Sequence, residues 1–204
     1  MENMKALSIL IPVYNQQNLV LRALDSIPVR EDIEVIVIDD GSTDNTWENL
    51  LKYRDNSDLD IVLLYNEVNK GVASAINKGL DNFTGRYVMF LGSDDYLYPE
   101  RLVELLEANY TEDMIYFDLE INDGQVFPLN PLTKKGYCGS TKLISKNFLG
   151  DMREDEKLLA GEDLDFNNRL LEKNPTERFT HIILKHYNFP REGSLSWKQR
   201  NGLL

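Results

Sequence analysis

The sequence contains one cysteine, Cys138, among its 204 residues. A lone cysteine forms no disulfide bond within the chain and builds no metal site from several thiolates. Small secreted folds held together by disulfides and multi-cysteine zinc sites are therefore excluded. We expect a cytoplasmic protein.

Long hydrophobic runs are also missing. The longest, such as residues 7–13 and 35–38, fall well short of the roughly 20 apolar residues that span a bilayer. The first run follows Lys5 and leads into Pro12 without the small-residue cleavage site of a signal peptide. We predict no transmembrane segment and interpret this run as a buried strand.

Positive charge is scarce, because 22 Lys and Arg oppose 34 Asp and Glu, giving a net charge of −12. Such a surface repels nucleic acid and anionic membrane, so a nucleic-acid partner is not expected. Hydrophobic residues nevertheless make up 42% of the chain, which is enough for one sizeable core and argues against disorder. The composition predicts one domain.

Short apolar runs alternate with stretches of helical periodicity, which is typical of βα units around a mainly parallel sheet. The predicted strands are residues 6–11, 34–38, 61–65, 87–91, 114–119 and 182–187. Helical stripes are predicted at 19–27, 47–51 and 72–80, and two more helices from Pro99 and over 162–173. From about residue 120 the pattern is less regular, starting with a hairpin turn at 122–124.

Acidic side chains follow two predicted strands, at the sheet edge where α/β proteins bind ligands. Asp39 and Asp40 follow the second strand, and Asp94 and Asp95 follow the fourth. Four carboxylates in one cleft repel each other, so a cation or a network of sugar hydroxyls is the natural resolution. Helix capping is the alternative for the nearby Ser42 and Asp44, but capping does not explain adjacent pairs.

Two further clusters lie near the C-terminus. Glu162, Asp163 and Asp165 begin the late helix, where carboxylates favour the positive end of the helix dipole. Asp163 is also a candidate general base. Residues 191–196, Arg-Glu-Gly-Ser-Leu-Ser, place a cation and two hydroxyls around a glycine, a set able to bind phosphate oxygens.

Five segments together resemble glycosyltransferase family 2, the inverting sugar-nucleotide transferases with a GT-A fold. They are SILIPVYNQQNLVLRALDSI, EVIVIDDGSTDNTWENL, NKGVASAINKGLDNFTGRYVMFLGSDDYLYPERL, GEDLDFNNRLLEK and YNFPREGSLSW, in the family's order over most of the chain. The resemblance implies a single α/β, Rossmann-like GT-A domain. Residues 1–120 would bind the nucleotide sugar, and residues 121–204 would supply the acceptor site and the base.

The resemblance also implies roles for individual residues. The nucleobase pocket would be lined by Pro12, Val13 and Tyr14, with Asp40 bonding the base edge. The nucleoside would lie beside Asn69, Lys70 and Gly71, and Asp94 would lie against the ribose and sugar.

Other implied roles concern the diphosphate and the acceptor. Asp95 would hold a divalent metal, Mn²⁺ or Mg²⁺, with His186 as a further ligand, although a satisfied histidine within a strand is the alternative. Arg191, with Ser194 or Ser196, would close over the diphosphate and bind it. Asp163 would be the base, with Glu162 and Tyr137 on the acceptor side.

One departure from the family pattern is Gly92, which stands where many members carry the first acid of a D-x-D-D motif. Metal binding by that first acid is lost, whereas the remaining Asp94-Asp95 pair is compatible with the family's pattern. The expected reaction is transfer from a UDP-sugar, such as UDP-glucose or UDP-GlcNAc, to a hydroxyl of a glycan, lipid carrier, protein or other acceptor. The alternatives are a catalytically degenerate nucleotide-sugar-binding module and a nucleotidyltransferase. The oligomeric state is left open.

Overall fold

A computed structural model of the protein describes residues 4–121, 124–133, 139–158, 160–188, 192 and 201–202. The described strands are β1 (Leu7–Val13), β2 (Ile33–Asp39), β3 (Ile61–Tyr65), β4 (Tyr87–Phe90), β5 (Tyr96–Leu97), β6 (Met114–Ile121), β7 (Val126–Phe127), β8 (Lys142–Ser145) and β9 (Glu177–Tyr187). The described helices are α1 (Leu19–Asp25), α2 (Thr46–Asp55), α3 (Val72–Leu80), α4 (Pro99–Glu107), α5 (Lys146–Leu149) and α6 (Glu162–Glu172).

One sheet contains these strands in the order β3-β2-β1-β4-β8-β6-β9-β5, with β7 paired to β6. Strands β1 to β4 run parallel. All seven residues of β2 are buried, as expected of parallel strands covered on both faces. Helices α1 and α4 pack on one face of the sheet, and α3 and α6 pack on the other. The predicted α/β architecture is confirmed.

The second half of the chain extends the sheet with mixed polarity. β8 is antiparallel to β4 and β6, β9 is parallel to β6, and β5 is antiparallel to β9. The predicted turn at 122–124 fits the antiparallel pairing of β6 with β7, although residues 122 and 123 lie outside the described part of the chain. Among the described helices, none is long and apolar enough to cross a bilayer.

Several elements differ from the sequence prediction. β5, β7, β8 and α5 were not predicted, because their two to four residues are too few to show a period. β9 begins at Glu177 rather than at residue 182, because its polar first half pairs with β6 in register, Met114 opposite Glu177. Backbone pairing, rather than side-chain polarity, sets where this strand begins.

Candidate functional site

The candidate site lies at the carboxyl ends of β1, β2 and β4. The chain proceeds outward from β1 to β2 and β3 and then returns to place β4 on the other side of β1. This reversal creates a crevice, which is where open α/β sheets bind ligands. The predicted nucleobase residues Pro12 and Val13 end β1, and Tyr14 follows with 42% of its surface exposed.

Asp40 holds a neighbouring loop in place. Its Oδ1 accepts hydrogen bonds from Asn66 Nδ2 at 2.8 Å and Lys70 N–H at 3.0 Å, and its Oδ2 accepts from Lys70 N–H at 3.1 Å and Gly71 N–H at 2.8 Å. A carboxylate has about four acceptor positions, and three donors here use most of them. Asp40 therefore holds the loop of Lys70 and Gly71, and its expected bond to a base edge stays a prediction.

Asp39, its neighbour, accepts fewer hydrogen bonds than Asp40 among the described residues. Its Oδ1 accepts the Ser42 N–H at 2.9 Å. Its Oδ2 is buried and has no hydrogen-bond partner within the described residues. Burial raises the pKa of Asp39, the charges of Asp44 and Asp40 add to the rise, and the Ser42 hydrogen bond opposes it.

The sequence pattern gave no role to Asp39 alone, although a usable signal was present. Successive side chains at the end of a strand point in opposite directions. Alternation at this strand end favours different surroundings for the adjacent Asp39 and Asp40, and the structure shows them, since Asp40 contacts the loop at 66–71 and Asp39 contacts Ser42.

The loops around Asp39 hold one another in place. Asn15, in the left-handed region with φ 51°, accepts the Thr43 N–H on its Oδ1 at 2.8 Å, and its own N–H donates to Ser42 Oγ at 2.9 Å. A Cβ on Gly41 would lie 2.6 Å from the carbonyl carbon of Val68. These close contacts leave the crevice walls little freedom to move.

Capping was the alternative for Ser42 and Asp44, and the two residues differ. Asp44 Oδ1 accepts the Thr46 N–H at 3.0 Å and the Thr46 hydroxyl at 2.5 Å at the start of α2. Asp44 thus stabilises the helix start, as the capping alternative predicted. Ser42 instead joins β2 to the loop after β1.

Asp95 forms a buried ion pair. Its side chain is 2% exposed and its Oδ2 lies 3.0 Å from Nζ of Lys185, whose side chain is 0% exposed. Its Oδ1 accepts the Asn188 N–H at 3.0 Å, and Lys185 Nζ also donates to Ser140 Oγ. Each oxygen of Asp95 therefore has one contact within the fold, and the expected role of Asp95 as a metal ligand stays a prediction.

Gly92 fits this arrangement closely. A Cβ at this position would lie 2.9 Å from Asp95 Oδ2 and 3.2 Å from Asp94 Oδ1. An acid here would enter the space that the two aspartates occupy and would disturb the Asp95–Lys185 pair. Glycine at position 92, in place of the first acid of the motif, therefore leaves room for the Asp95–Lys185 ion pair.

His186 does not fit the expected metal site. Its ring stacks on Tyr96 with centroids 4.5 Å apart and planes 7° apart, across the pairing of β9 with β5. The stack matches the alternative of a histidine held within a strand, although its Nδ1 has no partner in the described ranges. Those ranges contain no group of three or more His, Cys, Asp or Glu side chains arranged to hold a metal ion.

A metal could still be held by fewer protein ligands. Asp94 is half-buried at the same strand end, and its carbonyl accepts a hydrogen bond from Arg22. Mg²⁺ is often bound through one or two carboxylates together with substrate phosphates. Asp94 with a bound diphosphate fits that pattern.

Asp163 lies in the first turn of α6. A Cβ on Gly139 would lie 3.3 Å from its Oδ2, so the carboxylate packs against the segment before β8. The next residue, Ser140, contacts Lys185. This segment therefore links the candidate base to the Asp95–Lys185 pair. Glu162 is beside it, and burial raises the pKa of Glu162.

Four predicted site residues lie outside the described part of the chain: Tyr137, Arg191, Ser194 and Ser196.

Glu154 is a site residue that the sequence pattern did not reveal, because it lies in a charged run without apolar periodicity. It is 6% exposed, and its Oε2 has no hydrogen-bond partner among the residues described. Burial raises the pKa of Glu154 to about 8, helped by Glu162 and Asp163, while Lys142 and Arg169 oppose the rise. Burial and the two acidic residues of α6 therefore both favour the protonated form of Glu154.

The chain matches the Glycosyl transferase family 2 model over residues 8–159 and belongs to that family. It is 29% identical over 198 residues to the PGL/p-HBAD biosynthesis glycosyltransferase of Mycobacterium tuberculosis, covering 89% of this chain and 76% of the relative. It is 34% identical over 221 residues to an uncharacterized glycosyltransferase of Rickettsia felis, covering 95% of this chain and 36% of the relative. The chain is a glycosyltransferase, as the resemblance implied, which weighs against the nucleotidyltransferase alternative.

Solved structures share the fold. TarS 1–349 of S. aureus in complex with UDP-GlcNAc aligns with a TM-score of 0.79 at 23% identity, covering 93% of this chain and 60% of that one. The mannosyltransferase PcManGT of Pyrobaculum calidifontis, in complex with GDP-Man and Mn²⁺, aligns with a TM-score of 0.72 at 18% identity, covering 98% and 61%. The chain thus spans about three-fifths of these structures, and the predicted GT-A fold is confirmed.

Breaking the Asp95–Lys185 pair is expected to destabilise the protein. Asp95→Asn removes the negative charge and leaves a buried ammonium uncompensated, which costs about 3–5 kcal/mol. The double variant Asp95→Asn with Lys185→Met removes both charges and is expected to regain most of that loss. Urea unfolding measures all three proteins. Glu104→Gln, in the exposed pair with Arg101, is the control and should change stability by less than about 1 kcal/mol. A fully stable Asp95→Asn would show that the pair does not hold the fold together.

Glu154→Gln is expected to raise stability at neutral and alkaline pH. The unfolded chain releases the Glu154 proton near pH 4.5 and the folded chain near pH 8. The folded state therefore binds more protons in this interval, and stability falls as pH rises through it, by about 5 kcal/mol in total. Glutamine removes this pH-dependent loss, so the stabilities of wild type and variant should diverge between these two pH values.

Urea unfolding at a series of pH values measures the divergence. Glu172→Gln, at an exposed position at the end of α6, is the matched control and should follow the wild-type curve. Parallel curves for Glu154→Gln and wild type would mean that Glu154 is ionised in the folded protein.

Proposed function

We propose that this protein transfers a sugar from a UDP-sugar to an acceptor hydroxyl, with inversion at the anomeric carbon and Asp163 as the general base. The observation that carries the proposal is the position of the Asp163 carboxylate. It packs against Gly139, one residue from Ser140, which contacts Lys185 beside the acidic end of β4. This chain of contacts connects the proposed base to the acidic end of β4, which supports a single displacement.

Asp39 is proposed to recognise the nucleobase. Its Oδ2 is buried and unpartnered among the described residues, and the ionised carboxylate offers acceptors and no donor. The N3–H of uracil is a donor of matching type, whereas N3 of cytosine is an acceptor and would face it unfavourably. Guanine, with its N1–H, has a donor as well. The UDP-GlcNAc and GDP-Man complexes of the two structural relatives are consistent with such bases.

The leaving diphosphate acquires negative charge as the sugar departs, and this charge must be stabilised. Asp94 is proposed to hold a divalent cation, Mn²⁺ or Mg²⁺, against the diphosphate. Bound there, the cation would neutralise the developing charge. Arg191, with Ser194 or Ser196, is proposed to contact the same phosphate oxygens.

Asp163 is proposed to accept the proton of the acceptor hydroxyl as that oxygen attacks the anomeric carbon. The attacking oxygen forms its bond on the face opposite the bond to the diphosphate, which breaks in the same step. Inversion follows from this geometry. Residues 121–204, including Glu162 and Tyr137, are proposed to form the acceptor side, and a glycan, lipid carrier or protein acceptor is compatible with it.

Asp39→Asn is expected to weaken UDP binding by about 10- to 100-fold, because a hydrogen bond to a charged acceptor contributes about 1.5–3 kcal/mol. Its amide can donate to N3 of cytosine, so CDP should not lose affinity. Titration calorimetry with UDP, GDP and CDP, each with and without Mn²⁺, measures both effects. Asp58→Asn, at an exposed surface position, is the control. Unchanged UDP affinity in Asp39→Asn would remove its assigned role.

Asp163→Asn is expected to lower the transfer rate by about 10²- to 10⁴-fold, the usual contribution of a general base, while UDP affinity stays unchanged. UDP release from UDP-glucose and UDP-GlcNAc, with water and with a panel of sugar acceptors, measures the rate. Asp165→Asn is a matched control in the same helix, since Asp165 pairs with Arg169 on the helix surface. Loss of UDP binding in Asp163→Asn would contradict the base assignment. Nucleotide binding without any turnover in wild type would favour the degenerate binding module.

A further inference from the structure

Helix α1 and Ser26, which directly follows it, hold the segment from Asp94 to Leu97 at two points. The Arg22 guanidinium donates a hydrogen bond to the carbonyl oxygen of Asp94. The Leu97 N–H donates to Ser26 Oγ at 3.0 Å. Arg22 and Ser26 are four residues apart, which places their side chains on the same helix face. Both ends of the segment are therefore attached to one face of α1.

Arg22 is an exposed side chain with a defined position. Its guanidinium lies over the Tyr96 ring, 5.2 Å from the ring centroid, which is a cation–π geometry. Tyr96 in turn stacks on His186 of β9 with centroids 4.5 Å apart, so the ring is itself held by the sheet. The ring therefore keeps the guanidinium beside the Asp94 carbonyl.

The peptide group between Asp94 and Asp95 is held at both of its polar atoms. Its carbonyl oxygen accepts the hydrogen bond from Arg22, and its N–H donates to the Gly92 carbonyl at 3.0 Å. A peptide group is planar, so two hydrogen bonds on opposite edges fix its orientation. The direction in which the Asp94 side chain leaves the backbone therefore depends on the Arg22 contact.

Asp95 is anchored separately. Its carboxylate contacts Lys185 Nζ and the Asn188 N–H, and Arg22 takes part in neither contact. Removal of the Arg22 side chain therefore leaves the buried ion pair in place and frees the Asp94 carbonyl.

We propose that Arg22 is a positioning residue for Asp94, holding the Asp94–Asp95 peptide group so that the Asp94 carboxylate is oriented before a divalent cation and the diphosphate bind. This inference rests on the proposed function, in which Asp94 holds the cation. Residues that orient a metal ligand contribute about 10- to 100-fold to metal affinity. Because Arg22 acts through Asp94, its effect requires both Asp94 and the cation.

Titration calorimetry with UDP, with and without Mn²⁺, tests the proposal. The measured quantity is the metal gain, the ratio of UDP affinity with Mn²⁺ to UDP affinity without it. Arg22→Ala is expected to lower the metal gain by about 10-fold, while UDP affinity without Mn²⁺ stays unchanged. Arg22→Lys keeps a charged donor and should recover part of the metal gain. Arg101→Ala, which removes an exposed arginine of α4, is the control and should keep the wild-type value.

A double variant shows whether Arg22 acts through Asp94. Asp94→Asn is expected to weaken UDP binding in the presence of Mn²⁺. The combination of Arg22→Ala with Asp94→Asn should bind UDP no more weakly than Asp94→Asn alone, since residues that act through one interaction do not contribute independently. A further loss in the double variant would mean that Arg22 contacts the nucleotide directly, which overturns the proposal.

Two other results would also overturn it: an unchanged metal gain in Arg22→Ala, or an equal loss of UDP affinity with and without Mn²⁺. Failure of the proposed function gives a different pattern. If Asp94→Asn loses the metal gain and Arg22→Ala keeps it, Asp94 still holds the cation and only the inference about Arg22 fails. If Asp94→Asn keeps the metal gain, or if wild type shows none, the cation assignment fails and the inference fails with it.

Discussion

The buried Asp95–Lys185 ion pair joins the two halves of this molecule. Asp95 ends the loop after β4, and Lys185 lies in β9, 90 residues further along the chain. Lys185 also donates to Ser140, and Asp95 accepts from the backbone of Asn188. Burying two charges is costly unless each is paired and hydrogen-bonded, and here both conditions are met. The pair fixes the relative positions of the nucleotide crevice, β9 and the segment that packs against Asp163.

The crevice itself is organised before any ligand binds. Asp40 accepts hydrogen bonds from backbone N–H groups of the loop at 66–71. Asn15 connects the loop after β1 to the loop after β2 by hydrogen bonds. Gly41 lies so close to the backbone of Val68 that no side chain would fit there. Rigid walls reduce the conformational entropy lost on binding. Within these walls Asp39 Oδ2 has no hydrogen-bond partner among the described residues. An acceptor at a fixed position favours ligands that carry a donor at the matching position.

The sequence predicted the architecture well because hydrophobic periodicity is a local property. The strand at 61–65 and the helix start at Glu162 were predicted at the observed positions. Roles that depend on the distant partner of a side chain were not predictable in this way. Lys185 lies in a strand whose composition suggests an exposed lysine, and only Asp95 explains its burial. Asp39 and Asp40 are adjacent and chemically identical, and only the loop at 66–71 distinguishes them.

The fold treats two buried carboxyl groups differently. Burial raises the pKa of Asp95, and the charge of Lys185 opposes that rise. Lys185 is part of the chain and is itself buried, so its charge keeps its position and suits a contact that joins the two halves of the sheet. Burial also raises the pKa of Glu154, and the charges of Glu162 and Asp163 add to the rise, while Lys142 and Arg169 oppose it. Glu154 Oε2 has no hydrogen-bond partner among the described residues, so this carboxyl group lacks the direct compensation that Asp95 has.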